Sequence, residues 1–159
     1  MTRDYAWAPC GELVTEAVPR NRGTVTTMIG ALCLTGILAM MTVEGGTDTD
    51  VFFAFVDQVL APKLKPGDVV VLDNVGAHKP PQIRQRIEAL GAKVLFLPPY
   101  SPDLNPIEEC WSKIKNALKT FGARTQQELE FAIGDCLTRV TPSDARGWIR
   151  HAGYPCQAN

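Results

Sequence analysis

Two acidic residues, Asp73 and Glu108, stand where a carboxylate can do chemistry. Asp73 is the first residue after the apolar run Val69-Val70-Val71-Leu72. In open α/β sheets ligands gather at the carboxyl ends of strands, so an acid placed there faces the crevice. Such an acid suits hydrolytic chemistry, of the phosphatase-like kind among others. The alternative is that Asp73 opens a turn with Asn74, since Asp and Asn are ready turn formers. Glu108 also has a purely structural reading. Asn105 suits an N-cap, Pro106 the first helical position, and Glu108 then completes a capping box. Its neighbour Glu109 has Lys113 four residues on for a surface ion pair. Glu108 has Ser112 at that offset and is the freer of the two. Its helical face continues through Lys115 and Lys119, a basic stripe that fits either a solvated face or one that tracks phosphates.

These residues need elements to hold them. Residues 1–23 carry few periodic signals and read as loops and turns, with breakers at Pro9-Cys10-Gly11 and Asn21-Arg22-Gly23. Thr24 to Cys33 and Ile37 to Val43 are rich in β-branched and apolar residues, and Leu34-Thr35-Gly36 between them predicts a β-hairpin. Asp48 is a candidate N-cap. Phe52, Phe55, Val56, Val59 and Leu60 recur at helical spacing until Pro62 stops them. Asp68 to Leu72 reads as a strand buried on both faces, of the parallel-sheet kind. A short helix over Pro81–Leu90, closed by Gly91, leads to a strand over Lys93–Leu97. The proline-rich turn Pro98–Pro106 precedes a helix over Ile107–Phe121, in which Trp111, Ile107, Ile114 and Leu118 share an apolar core face. From Thr125 onward the chain reads as helical, with Leu129, Ile133, Cys136 and Leu137 on one side. A hairpin followed by alternating strands and helices predicts a mixed α/β sheet flanked by helices.

The totals narrow the class. With 159 residues, 45% hydrophobic and 21% charged, the chain suits one globular domain and not a disordered tail. A formal net charge of −1 gives no global basic footprint, so contact with nucleic acid must be local. The five cysteines (Cys10, Cys33, Cys110, Cys136, Cys156) lack any C-x-x-C pair, which points to reduced thiols and not to a zinc site or disulfide framework. The longest apolar stretch, Ala31 to Met41, is interrupted by Thr35-Gly36 and is too short to span a bilayer. Met1 to Tyr5 lacks a signal pattern. The expectation is a soluble cytoplasmic protein with no membrane partner.

Between the two acids the sequence reads D-N-V-G-A-H-K from Asp73 to Lys79, then L-P-P-Y-S-P-D-L-N-P-I-E-E-C-W from Leu97 to Trp111. These long motifs, with 34 residues between Asp73 and Glu108, resemble the DDE transposases of the mariner-like superfamily, especially their bacterial insertion-sequence branch. Weaker resemblance extends to Trp7-Ala8-Pro9-x-Gly11 and to the helix around Phe52–Leu60, covering most of residues 5–125. The resemblance implies a ribonuclease H-like fold whose catalytic carboxylates, here Asp73 and Glu108, hold two Mg²⁺ ions (Mn²⁺ being a substitute). Hard, hydrated cations take carboxylate oxygens, and a metal pair clamps the attacking and leaving oxygens of a phosphoryl displacement. It implies DNA partners, both transposon ends and target, and a homodimer when complete. Asn74 and His78 become candidates for contact with metal-bound water or DNA, His78 having hydrogen bonding to backbone as its structural alternative. Lys79, Tyr100, Ser101, Lys115 and Lys119 become candidate DNA contacts. His151 lies outside every motif.

The family has three carboxylates, and the first belongs to a strand upstream of the W-A-P-x-G segment. No acid here matches it: Asp4 follows Met1-Thr2-Arg3, Glu12 and Glu16 come too late, and Asp48, Asp50 and Asp57 follow the hairpin. The expectation is a single partial catalytic domain over residues 1–159, truncated at its N-terminus, with core motifs in 24–121 and C-terminal helices in 125–151. The missing strand belongs between the hairpin and the Asp73 strand, so its loss leaves backbone groups unpaired on both sides. Cleavage by this chain then requires an upstream segment bearing the missing Asp. The alternative is a non-catalytic remnant that binds DNA or transposase and regulates transposition.

Overall fold

The computed structural model describes residues 25–156. The N-terminal motif around Trp7 and the thiol of Cys10 lie outside the described residues. The hairpin forms as the sequence predicts, with β1 (Thr26–Cys33) antiparallel to β2 (Gly36–Glu44). Gly36 takes a φ of 122° at the turn, a conformation that a Cβ disfavours. An irregularity at Ala31/Leu32 pairs Ala31 with Ala39 but Leu32 with Ile37, leaving Leu38 as the extra residue. Alternation sends the hairpin's side chains to two different cores, and the bulge keeps Ile37 on the same side as Leu32.

Ile29, Ala31, Ala39 and Met41 join the first core, together with Phe52, Phe55, Val56 and Leu60. The helix that supplies the aromatic pair is capped by Asp48, whose carboxylate accepts from the Val51 N–H at 2.9 Å. It begins as α1 (Thr49–Ala54), widens into a π-helical turn over Phe55–Leu60, and tightens into a 3₁₀ turn over Ala61–Lys63 at Pro62. Val59 packs against the same core while partly exposed. β3 (Val69–Leu72) and β4 (Lys93–Phe96) run parallel, connected through α2 (Pro81–Glu88), whose Ile83 and Ile87 are fully buried. Gly91 closes that connection at φ 78°, with Pro66 so close that an added Cβ would lie 3.1 Å from it.

The strands form two two-stranded sheets among the described residues, β1–β2 and β3–β4. One expectation is corrected: β3 is not buried on both faces, for Val69 is 57% and Leu95 on β4 is 50% exposed. Val70, Leu72, Val94 and Phe96 face the first core, whereas the opposite face of this sheet carries no packed layer among the described residues. A run of β-branched residues has no polar alternation to report which face is covered, so the sequence could not reveal this.

The second core lies on the other side of the hairpin. Cys110, Ile114 and Leu118 of α3 (Ile107–Phe121) meet Ala132, Ile133 and Cys136 of α4 (Gln126–Thr138), with Met28, Leu32 and Ile37 packed beneath. Leu129 and Leu137 join them, as their spacing predicts. Thr125 and Glu128 form a capping box at the start of α4, and Thr141 and Asp144 form one at α5 (Pro142–His151). Burial pushes the Cys110 thiol up to about 11, so this cysteine packs as an inert small apolar group. Cys33, Cys110, Cys136 and Cys156 are all free. None of the described helices is long and apolar enough to cross a membrane.

Trp111 joins this core and closes over the hairpin at Gly30, where an added Cβ would sit 3.0 Å from its ring and 3.2 Å from the Ala39 carbonyl. Neither neighbour is the end of a flexible side chain. Gly30→Ala is expected to destabilise by about 1–3 kcal/mol through overpacking. Gly134, helical and with open space around its Cβ position, is expected to gain about 0.5–1 kcal/mol as Gly134→Ala. Urea denaturation midpoints of the two variants check both signs.

Candidate active site

Asp73 emerges from the C-terminal end of β3, and the chain turns at once into a 3₁₀ segment over Gly76–His78. Oδ1 of Asp73 accepts from the Val75 N–H at 3.2 Å, so the turn reading of this acid is realised. The same oxygen lies 2.6 Å from Nδ1 of His78. That approach falls outside hydrogen-bond geometry, and Nδ1 is buried without a hydrogen bond. The imidazole rests on Phe52, with ring centroids 3.8 Å apart and planes 34° apart. No side-chain hydrogen bond from His78 to backbone forms among the described residues: its ring is held between the first core and Asp73. Both of these approaches to the Asp73 carboxylate fall on Oδ1, and Oδ2 accepts no hydrogen bond among the described residues. Asn74 is half-buried and Lys79 exposed beside this turn.

Glu108 sits in the first turn of α3, exposed and without a hydrogen bond or ion pair among the described residues. The capping box predicted for it is not formed. Pro106 occupies the N-cap with no side-chain cap bond, and Asn105 contributes only its carbonyl, which accepts from the Glu108 N–H at 3.1 Å. Asn105 belongs instead to the preceding 3₁₀ turn (Pro102–Leu104), which fixes its backbone and removes its side chain from capping. The structural explanation for Glu108 therefore falls away, and its carboxylate is left for other work. Lys115 is exposed on the same helical face and Lys119 is half-buried.

The Glu109–Lys113 pair is also corrected. Glu109 meets His151 at 2.5 Å, and Lys113 meets Asp144 at 2.6 Å. Both partners come from α5, which packs against α3 and outcompetes the local i,i+4 geometry. His151 thus acquires a structural role that its sequence context did not announce. Tyr154, just beyond α5, donates its hydroxyl to the Leu104 carbonyl at 2.8 Å. Together these contacts brace the proline-rich turn and the start of α3 from behind, around a small cleft lined by Pro102, Asn105, Glu109 and His151. At the rim of the braced turn, Tyr100 is fully exposed and holds φ at 58°. A bulky residue in that left-handed region costs on the order of 1–3 kcal/mol, and such strain collects at functional sites. Ser101 follows, its Oγ donating to the Pro99 carbonyl at 3.4 Å.

The structure thus gathers Asp73, His78 and Phe52, and it presents Glu108 on a separate element. Carboxylate oxygens are the donors that hard divalent cations take. Among the described residues, however, no three His, Cys, Asp or Glu side chains stand close enough to hold a metal ion. The donors are right in kind and short in number.

A family model described as DDE superfamily endonuclease matches residues 1–130. Among solved structures, the Mos1 strand transfer complex is similar with a TM-score of 0.77 at 18% identity, over 95% of this chain and 47% of that one. The Mos1 mariner paired end complex with Mn gives 0.73 at 16% identity, over 96% and 48%. The Mos1 transposase paired-end complex with left transposon end gives 0.60 at 16% identity, over 97% and 52%. The chain therefore has the ribonuclease H-like α/β fold with small sheets flanked by helices, and spans about half the length of these matched chains. No curated protein matches it.

The brace behind α3 has a pH signature. Lys113, followed by the Thr141 backbone N–H, holds the Asp144 carboxyl well below its ordinary value of 3.8, at about 2. A carboxyl depressed on folding stabilises above its unfolded value, and that contribution is lost as pH falls through the folded one. Stability supplied by this contact should therefore be complete above about pH 5 and fade toward pH 2. Carbon-detected NMR titration of Asp144 should show the midpoint moving up in Lys113→Ala, with a smaller acid-side loss of melting temperature.

Proposed function

The chain belongs to the family of DDE superfamily endonucleases, and on that premise we propose that it is part of the catalytic domain of a mariner-like DNA transposase, of the bacterial insertion-sequence branch. Asp73 and Glu108 are its metal-binding catalytic carboxylates. The chemistry is Mg²⁺-dependent cleavage of transposon ends and strand transfer to target DNA, with Mn²⁺ as a substitute. The observation that carries this reading is the state of the two acids. Asp73 stands at a strand end with no hydrogen bond to Oδ2, and Glu108 stands in a helix's first turn with no hydrogen bond or ion pair, both among the described residues. When bound, a metal pair would stabilise both the attacking and the leaving oxygen of the displaced phosphodiester.

The incomplete donor set and the two unjoined sheets support a further requirement. A strand bearing another carboxylate, from an upstream transposase segment, seats between the hairpin and β3 and completes the site. DNA is the partner of the surrounding groups: Lys79, Lys115 and Lys119 for phosphates, Asn74 and Ser101 for the backbone, and Tyr100 as an exposed ring at the rim. The complete protein works as a homodimer in the bacterial cytoplasm. A second reading, a non-catalytic regulator that binds DNA or transposase, is favoured by the same short donor set.

Cleavage separates the two. With the upstream segment joined, Mg²⁺-dependent nicking of transposon-end DNA should appear and fall to background in Asp73→Asn and in Glu108→Gln. DNA binding without nicking under those conditions would favour the regulator. Lys115→Ala should weaken DNA binding about uniformly across sequences and lower the salt slope by about 1, as loss of one phosphate contact requires. An unchanged slope in a salt-dependent binding titration would remove Lys115 from the interface.

A further inference from the structure

His78 has more contacts than a turn residue needs, and each bears on Asp73. Its ring lies on Phe52, which is 4% exposed and itself 6.0 Å from Phe55 in the first core. That seat fixes where Nδ1 is. Nδ1 is buried with no hydrogen bond, and Oδ1 of Asp73, 2.6 Å away, is the polar atom set against it. At that distance the seated ring limits where the carboxylate can turn. The Val75 N–H draws the same oxygen from the other side.

We propose that His78 is a positioning residue for Asp73: stacked on Phe52, it holds Oδ1 toward the turn so that Oδ2 is the oxygen offered to a divalent cation. The core thereby sets the orientation of a carboxylate that would otherwise rotate at a strand end. This rests on the reading of Asp73 as a cation ligand. Outer partners of metal-ligating side chains contribute about 10–100-fold in affinity, and His78 fills that place here. The contact concerns the carboxylate's rotamer, so His78 acts through Asp73.

The test uses Mn²⁺ alone as the probe and the purified chain with the upstream segment joined, read by paramagnetic broadening of the Asn74 and Val75 amide signals. Asp73→Asn should abolish the broadening. His78→Ala should raise the Mn²⁺ concentration for half-broadening at least about 10-fold. His78→Asn keeps a nitrogen near the Nδ1 position while removing the ring, and it should restore most of the affinity without restoring the melting temperature. That split is what a merely structural histidine would not produce. If Asp73→Asn abolishes broadening but His78→Ala leaves it unchanged, the inference is overturned and the reading of Asp73 stands. If both His78 variants lose affinity in step with melting temperature, the role is structural and the inference is again overturned. Should His78→Ala fail to fold, a folded His78→Asn decides alone, retention supporting the inference and loss overturning it. A joined chain with Asp73 and His78 unchanged that shows no broadening, or broadening that survives Asp73→Asn, overturns the reading of Asp73 and the inference with it.

Discussion

One apolar helical face holds the two halves of this sheet system together. The hairpin and the β3–β4 pair share no ladder among the described residues, so no backbone hydrogen bond sets their relative position. Phe52, Phe55, Val56 and Leu60 share one buried cluster with Ile29 and Ala39 of the hairpin and with Leu72, Ile83 and Ile87 of the β3–α2 unit. Phe52 then reaches further, because its ring is also the seat of His78. Packing of ordinary hydrophobic residues thus determines where Asp73 can be, several steps before any chemistry.

Glu108 depends on a different support. Its helix is anchored by the second core and by α5, through the Lys113–Asp144 and Glu109–His151 contacts. The proline-rich turn ahead of it is pinned by the Tyr154 hydroxyl. The hairpin is the element common to both supports, with alternate faces given to the two cores and a bulge that lets Ile37 follow Leu32 across. Two acids on two separately braced elements meet the general requirement that a site be built on rigid parts and supported by a second layer.

Much of this was legible from residue order. Helical periodicity at Phe52–Leu60, the Asp48 cap, the hairpin and the helix over Ile107–Phe121 are local properties, and they formed as read. The motif segments and the spacing of Asp73 and Glu108 carried the family. What escaped was decided by partners distant in sequence. Lys113 prefers Asp144 of α5 to Glu109 in its own helix, and a 3₁₀ turn takes Asn105 out of its capping role. The covered face of β3 depends on which neighbours pack against it, information that four consecutive apolar residues do not contain. His78 was singled out by motif alone, and its stacking on Phe52 joins residues 26 positions apart with no local signal.

The open edge of β3 carries the central claim that a further strand completes the site. The Lys93 N–H donates to Asp68 and the Leu97 N–H to Leu72, so alternate residues of β3 bond to β4. The amides of Val69 and Val71 then point to the edge that no strand pairs among the described residues. Hydrogen exchange at these two amides is the direct measurement, made on the chain alone and with an apolar strand ending in Asp joined ahead of it. The account predicts rapid exchange in the chain alone and strong protection at Val69 and Val71 once the strand is supplied. Amides that exchange equally fast in both would contradict it.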